Sequence, residues 1–355
     1  MISSKMKTIR NLLLLAIFTG LFSGSSVSAL EKCIICHGKP DIQKVEKTGR
    51  IVSLTVDEAM LKSSVHSLYD CTDCHNDIVE IPHKVVNKVN CRRCHYSGNT
   101  VGAPKGEMID QYEHSVHGME VAAGNEKAPV CQTCHGTHDI FKHDDPKSKF
   151  FRANIPKLCG SCHIDIYATY KESVHGVALA KGNIDTPVCT SCHGEHNIMR
   201  PENPESTVSA GQVSETCGQC HGPMGVVNKY GVKTDRTQTY EHSFHGMAQK
   251  MNNLTVANCA SCHDYHDIRT EDDPKSSINK ANIPQTCGKE GCHPGATANF
   301  AEGKIHVDPY NESSGILYYI TKFFTILTVS TLIGLFIFIS LDLFRRAKNA
   351  RDKRH

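Results

Sequence analysis

Cysteine and histidine recur together nine times in this 355-residue chain. Its 18 cysteines fall into nine pairs, and a histidine follows the second cysteine of every pair. Eight pairs have the spacing CxxCH, and the ninth, Cys287-Gly-Lys-Glu-Gly-Cys292-His293, contains two extra residues. CxxCH is the spacing at which c-type haem is attached, since two thiols bond to the porphyrin and the adjacent histidine binds the iron.

The predicted attachment residues are Cys33, Cys36, Cys71, Cys74, Cys91, Cys94, Cys131, Cys134, Cys159, Cys162, Cys189, Cys192, Cys217, Cys220, Cys259, Cys262, Cys287 and Cys292. The predicted proximal ligands are His37, His75, His95, His135, His163, His193, His221, His263 and His293. Zinc ribbons and a disulfide framework are the alternative uses of paired cysteines. Neither requires a histidine at that one position, so the sequence predicts nine covalently bound haem c groups.

Internal repeats divide the chain into two-haem modules at about residues 60–100, 108–163, 166–221 and 236–293, with an extra haem site at 33–37. Three copies share a Tyr-x-x-Ser-x-His-Gly segment and a later Cys-x-x-Cys-His-x-x-His segment. The pair Cys287 and Cys292 aligns with Cys159 and Cys162, so the longer spacing is interpreted as a haem site with a longer loop.

Histidines outside the attachment motifs recur in register and are predicted as distal axial ligands. They are His66, His83, His117, His138, His175, His196, His245, His266 and His306. Four histidines remain and are assigned to the surface: His114 and His242 align with Glu172, so that position does not require an imidazole, and His143 and His355 have no counterpart. Methionine is the rival distal ligand, but the copy that contains His175 has no methionine nearby.

The pairing of distal histidines with irons is left with two alternatives. In the first, the Ser-Val-His residue serves the first haem of its own module and the later histidine serves the second, which leaves His306 for the haem at Cys33. In the second, the Ser-Val-His residues reach back to the preceding haem, and His306 serves the haem at Cys287.

The two ends of the chain indicate export and a membrane anchor. Residues 1–29 have a basic start, a short apolar core and a small-x-small end at Ala29, which is typical of a cleaved signal peptide. An uncleaved anchor is the alternative. Residues 316–341 are apolar enough for a transmembrane helix, with a buried core helix as the alternative, and the basic tail 342–355 is expected in the cytoplasm.

The charge distribution bears on possible partners. The formal net charge is +2, of which residues 1–29 contribute +3 and residues 345–355 contribute +5, leaving −6 for residues 30–344. The basic residues are thus explained by targeting and topology, and no nucleic-acid partner is expected.

The predicted fold is mainly α with little regular secondary structure, an extended haem protein of repeated two-haem modules followed by one C-terminal transmembrane helix. Short helices, such as one over residues 164–175 capped at Gly176, are expected between turn-forming segments. The haem domain is predicted at 30–310. It has no Trp, so haem itself is expected to supply the apolar core, and the chain is not expected to fold without it.

The nine motifs and the repeated distal histidines resemble the periplasmic multihaem cytochromes c of metal-, sulfur- and sulfate-respiring bacteria, which have low-potential bis-histidine haems and occasional CxxxxCH sites. The resemblance covers residues 33–306. The chain departs from the quinol dehydrogenases that are anchored at the N-terminus and carry fewer haems. Its C-terminal anchor looks more like cytochrome c subunits that sit beside a membrane cytochrome b.

Bis-histidine ligation implies electron transfer without an open iron for a substrate. The expected function is therefore a non-enzymatic relay of electrons between a membrane quinol-oxidising partner, such as a cytochrome b, and periplasmic electron-transfer proteins in anaerobic respiration. The expected location is the inner membrane, single-pass, with the haem domain in the periplasm. The alternatives are a reductase of nitrite, hydroxylamine or a sulfur oxyanion, and a haem-storage or tethering protein.

Overall fold

The computed structural model describes residues 29–45, 49, 51–83, 86–104 and 106–352. The signal peptide predicted for residues 1–29 lies outside the described residues except for Ala29, and His355 lies outside them as well. The chain divides into two compact units, residues 1–158 and 159–355. The boundary falls inside the repeat expected at 108–163.

The first unit contains short helices and one small sheet. Its α-helices are Ala29–His37, Glu58–Ser63, Cys71–Cys74, Glu107–His114, Val116–Ala122 and Cys131–His135, with Ile155–Gly160 at the boundary, and its 3-10 helices are Cys91–Arg93 and Arg152–Asn154. The strands Gln43–Val45 and Ile51–Ser53 pair antiparallel, with Lys44 opposite Val52.

The regular secondary structure of the second unit is entirely helical among its described residues. Its α-helices are Ile164–Glu172, Val174–Ala180, Cys189–His193, Val213–His221, Arg236–Glu241, Phe244–Lys250, Cys259–His263, Ile283–Cys287 and Ile316–Asp352, and its 3-10 helices are Val226–Tyr230, Ala298–Glu302 and Glu312–Ser314. The fold is mainly α, as the sequence predicts.

The serine of the Tyr-x-x-Ser-x-His-Gly segment separates two helices. Ser173 has extended backbone angles (φ −69°, ψ 163°) and ends the helix Ile164–Glu172. Its hydroxyl accepts a hydrogen bond from the Gly176 amide, so Ser173 is also the N-cap of the next helix, Val174–Ala180. His175 therefore lies in the first turn of the second helix, and Ser115 and Ser243 do the same for His117 and His245.

The expected C-cap at Gly176 is therefore wrong. The first helix ends at Glu172 because the serine hydroxyl caps a new helix there. Gly176 lies inside that new helix, where a side chain would collide with the carbonyl oxygen of Tyr170. Glycine follows the histidine because the two helices approach too closely for a Cβ atom.

Three attachment motifs form short helices with their own caps, at Cys131–His135, Cys189–His193 and Cys259–His263. The residue before the second cysteine is Thr133, Ser191 or Ser261 in the three copies. Its hydroxyl accepts a hydrogen bond from the backbone amide of the residue that precedes the first cysteine. The residue after the proximal histidine has a positive φ, at Gly136 (91°), Gly194 (77°) and Asp264 (62°).

The polypeptide alone has little apolar core. Among the described residues, the buried apolar side chains are Ile155, Pro156, Val188, Val213, Tyr240 and Ala260, and the buried polar residues are all serine or threonine. An ordinary globular chain of this length would bury a much larger apolar core.

The C-terminal helix Ile316–Asp352 is the one helix among the described residues that is long and apolar enough to cross a membrane. Its 37 residues correspond to about 55 Å, against about 30 Å of bilayer hydrocarbon. Its apolar side chains are exposed, as at Phe336 (73%), which argues against a buried core helix. The helix continues past the apolar stretch, where Arg345 and Arg346 both pair with Asp342.

Candidate haem-binding sites

Histidine rings from the attachment motifs lie beside histidine rings from the predicted distal set. In the first unit the pairs and their ring-centroid distances are His37 and His83 (5.9 Å), His66 and His95 (6.2 Å), and His75 and His138 (6.3 Å). In the second unit they are His175 and His221 (6.3 Å), His193 and His266 (6.0 Å), His245 and His293 (6.1 Å), and His263 and His306 (6.2 Å).

These distances fit a metal ion between each pair. Metal–imidazole bonds of about 2 Å on opposite sides of one ion place the ring centroids about 6 Å apart. The residues of these pairs thus fit two axial ligands of one haem iron. The other four predicted ligands are divided between the units, with His117 and His135 in the first and His163 and His196 in the second. His135 stacks on Phe150 with centroids 4.7 Å apart.

Both expected pairing schemes are wrong. The Ser-Val-His residue meets the second proximal histidine of its own module, as His175 meets His221. The later histidine meets the first proximal histidine of the preceding module, as His266 meets His193, and His306 follows that rule by meeting His263.

A recurring backbone hydrogen bond accounts for this arrangement. The Val65 amide donates to the Ile140 carbonyl (2.9 Å), and the Val174 amide donates to the Ile268 carbonyl (2.8 Å). Each bond joins the Ser-Val-His segment of one module to the residue two positions after the later histidine of the next. That histidine is therefore held against the preceding module, away from the haem site that its own segment carries.

Ring nitrogens of two predicted proximal histidines are held by hydrogen bonds to the backbone. The Nδ1 atom of His37 lies 2.8 Å from the Leu54 carbonyl oxygen, and that of His95 lies 3.3 Å from the Pro104 carbonyl oxygen. Because a carbonyl only accepts, Nδ1 must carry the proton, which leaves Nε2 to bind a metal.

Burial favours the neutral form of two predicted distal ligands, His175 and His306, and the neutral form is the one that metal ligation requires. Burial, with a smaller contribution from His221, lowers the pKa of His175 to about 4. Burial, followed by the charge of Arg236, lowers the pKa of His306 to about 4.

Cysteines of consecutive attachment motifs lie close together. A hydrogen bond shared by the Cys91 and Cys131 thiols raises the pKa of Cys91 and lowers that of Cys131. Cys159 and Cys189, and Cys217 and Cys259, share hydrogen bonds with the same effects. Four other cysteines have a pKa that is raised first by burial and then by the thiol of a neighbouring motif. They are Cys71 beside Cys33, Cys74 beside Cys94, Cys192 beside Cys220, and Cys262 beside Cys287. Within each unit the attachment sites therefore follow one another in chain order.

None of the 18 cysteines forms a disulfide in the structure. They are thus available to bond to porphyrin, whereas a disulfide framework would consume them. The serine caps and Thr239, which contacts His306, are functional positions that the sequence reasoning missed. The recurrence of serine two residues before each of three distal histidines is the signal that identifies the caps.

Comparisons with known proteins agree with this chemistry. The family model described as "Cytochrome c7 and related cytochrome c" matches residues 21–96. The protein named "Multiheme cytochrome MtrA" from Shewanella baltica (strain OS185) is 25% identical over 218 residues, which cover 58% of this chain. The match spans 52% of that protein, so the chain covers about half the length of this relative. No solved structure matches the chain.

The attachment motifs, the paired imidazoles and the two matches together define a multihaem c-type cytochrome. Such a protein binds haem c covalently and transfers electrons.

Proposed function

We propose that this protein relays electrons between a membrane quinol-oxidising partner, such as a cytochrome b, and soluble periplasmic electron-transfer proteins in anaerobic respiration. The observation that carries the proposal is the pairing of histidines 5.9–6.3 Å apart in consecutive sites. Two imidazoles on one iron leave no coordination position for a substrate. The protein is thus an electron carrier without a catalytic iron.

Nine haem c groups are proposed, one at each attachment motif, with one proximal and one distal histidine each. Bound haem c supplies one-electron redox chemistry at each iron. The polypeptide contributes the thiols, the axial ligands and the order of the sites. The succession of neighbouring attachment cysteines within each unit supports a relay in chain order.

The C-terminal helix is proposed to span the inner membrane once, with the haem domain in the periplasm. The residues that follow its apolar part, including Arg345 and Arg346, belong on the cytoplasmic side by the positive-inside rule. A single helix cannot form a quinol-binding cavity by itself. The partner is therefore a separate membrane subunit.

Three measurements on the purified mature protein test the proposal. Mass spectrometry is expected to show nine haem additions. The electron paramagnetic resonance (EPR) spectrum of the oxidised protein is expected to contain only low-spin iron, and a substantial high-spin signal would instead indicate a catalytic site. Membranes that hold the partner and a quinol are expected to reduce the intact protein, which should then reduce periplasmic acceptors.

A further inference from the structure

The membrane helix begins close in sequence to a predicted haem ligand. Ile316, the first residue of the helix, lies ten positions after His306, which pairs with His263. The chain between them is not fully extended, because the Ser314 hydroxyl donates a hydrogen bond to the backbone carbonyl of Asp308.

A ring contact ties this link to the haem domain. Tyr310 packs edge-on against His242, with ring centroids 5.7 Å apart. His242 follows directly on the helix Arg236–Glu241, whose Thr239 contacts His306. The start of the membrane helix is thus held beside the helix that supports the last distal histidine.

The last attachment site lies at the same end of the second unit. Cys262 of the eighth motif is a neighbour of Cys287 and Cys292 of the ninth. The proximal histidine of the ninth motif, His293, contacts Phe300, which lies in the chain that leads to His306. The eighth and ninth sites therefore both adjoin the segment that enters the membrane.

The surface of this segment is partly apolar. Phe300 (42%), Ile305 (45%) and Tyr310 (65%) are exposed although they are large apolar or aromatic residues. Tyr318 and Tyr319 follow at the start of the helix, where aromatic side chains are enriched at a membrane–water interface. Exposed apolar side chains next to that interface suit contact with the surface of a membrane protein.

We infer that the eighth and ninth sites, at Cys259–His263 and Cys287–His293, together with residues 298–310, form the surface at which this chain exchanges electrons with its membrane partner. The inference deepens the proposed function, on which it rests. The partner surface is that of a membrane-embedded subunit whose redox centre lies near the periplasmic interface. The soluble acceptors then use sites farther back along the chain.

A rigid spacer tests this inference without altering any haem site. Four repeats of Glu-Ala-Ala-Ala-Lys inserted between Gly315 and Ile316 form a mostly helical spacer of about 30 Å. The matched control is a flexible Gly/Ser insertion of the same length at the same place. The intact protein, the rigid variant and the flexible variant are compared in membranes that contain the partner and a quinol.

The rigid spacer is expected to slow reduction by quinol at least about tenfold, because a stiff linker prevents simultaneous engagement, whereas the flexible insertion retains most of the rate. A second readout is independent of turnover. In vesicles with a fluorescent headgroup lipid, haem quenching of the dye is expected to fall in the rigid variant and to stay close to the intact value in the flexible one. Dithionite reduction and haem count verify that both variants are fully loaded.

An unchanged quinol rate and unchanged quenching in the rigid variant would overturn the inference. Equal losses in the rigid and flexible variants would also overturn it, since the flexible linker lets the two sites return to the membrane. Failure of quinol to reduce the intact protein would instead refute the proposed function. The two failures are therefore distinguishable.

Discussion

The Nδ1 atom of His306 lies 3.0 Å from the hydroxyl oxygen of Thr239, a residue that is almost fully buried. The same hydroxyl donates its hydrogen bond to the backbone carbonyl oxygens of Asp235 and Arg236. Thr239 therefore accepts a hydrogen bond from Nδ1 of His306, which leaves the Nε2 atom of that ring available to bind a metal. Hydrogen bonds of this kind fix the tautomer and orientation of a metal-bound histidine.

Replacing this hydroxyl is expected to change one haem and leave the others unaltered. In Thr239→Val, the Nδ1 atom of His306 loses its hydrogen bond to the threonine hydroxyl. The low-spin EPR signal and the midpoint potential of the haem at Cys259 are therefore expected to shift. Thr239→Ser keeps the hydroxyl and is expected to restore both. EPR and spectropotentiometry of the loaded protein measure these effects.

Thr169 provides a matched control, because it aligns with Thr239 one repeat earlier. Its hydroxyl donates to the carbonyl of Asp165, as that of Thr239 does to Asp235. Thr169 is only half-buried, however, and among the described residues its hydroxyl does not hydrogen-bond to an imidazole. Thr169→Val is expected to leave every EPR signal in place. An equal change in the two valine variants would show that loss of a helix hydrogen bond, rather than ligand orientation, is responsible.

The distal assignment itself can be checked with one histidine of the predicted ligand set and one histidine assigned to the surface. His175 is half-buried and meets His221, so His175→Met is expected to raise the potential of the haem at Cys217, since methionine–histidine ligation is more oxidising. His114 is exposed, and its Nδ1 atom bonds the Asp110 carbonyl of its own helix. His114→Met is expected to leave the redox titration unchanged, and the opposite result would refute the register argument.

The histidine set was accessible from sequence because haem attachment requires fixed spacing and the repeats preserve it. Every histidine in the seven observed pairs belongs to the predicted ligand set. The pairing of proximal with distal histidines was not accessible from sequence. It depends on backbone hydrogen bonds between distant residues, such as Val65 and Ile140, which the spacing of the motifs does not reveal. The helix break at Ser173 was missed because a serine hydroxyl that caps the following helix outweighs the helical pattern around it.

Asp264 occupies a position that two other repeats give to glycine. Its backbone angles, φ 62° and ψ 179°, lie in a region that is almost confined to glycine and costs about 1–3 kcal/mol for other residues. At Gly136 and Gly194 a Cβ atom would collide with Asp139 and Asn197 respectively.

The third copy avoids that collision by a change in partner. Asp267, which aligns with Asp139 and Asn197, accepts a hydrogen bond from Nε of Arg269 at 2.7 Å. Asp264→Gly is expected to relieve the backbone strain and raise the thermal unfolding midpoint, while Gly194→Asp is expected to lower it. Circular dichroism of the fully loaded proteins measures both, and a lower midpoint for Asp264→Gly would contradict the strain argument.

Removal of the membrane helix tests how the anchor contributes to function. A chain that ends at Glu312 retains all nine attachment motifs, His306 and the contact between Tyr310 and His242. It is expected to be soluble, to carry the full haem complement, and to be reduced by dithionite and reoxidised by periplasmic acceptors at the rates of the intact protein. Its reduction by quinol in partner-containing membranes is expected to fall sharply, because the anchor no longer concentrates the haem domain beside the partner. If quinol reduced the truncated protein in those membranes as fast as the intact one, the anchor would be dispensable for partner contact. If quinol reduced it rapidly without any membrane fraction, no partner would be needed.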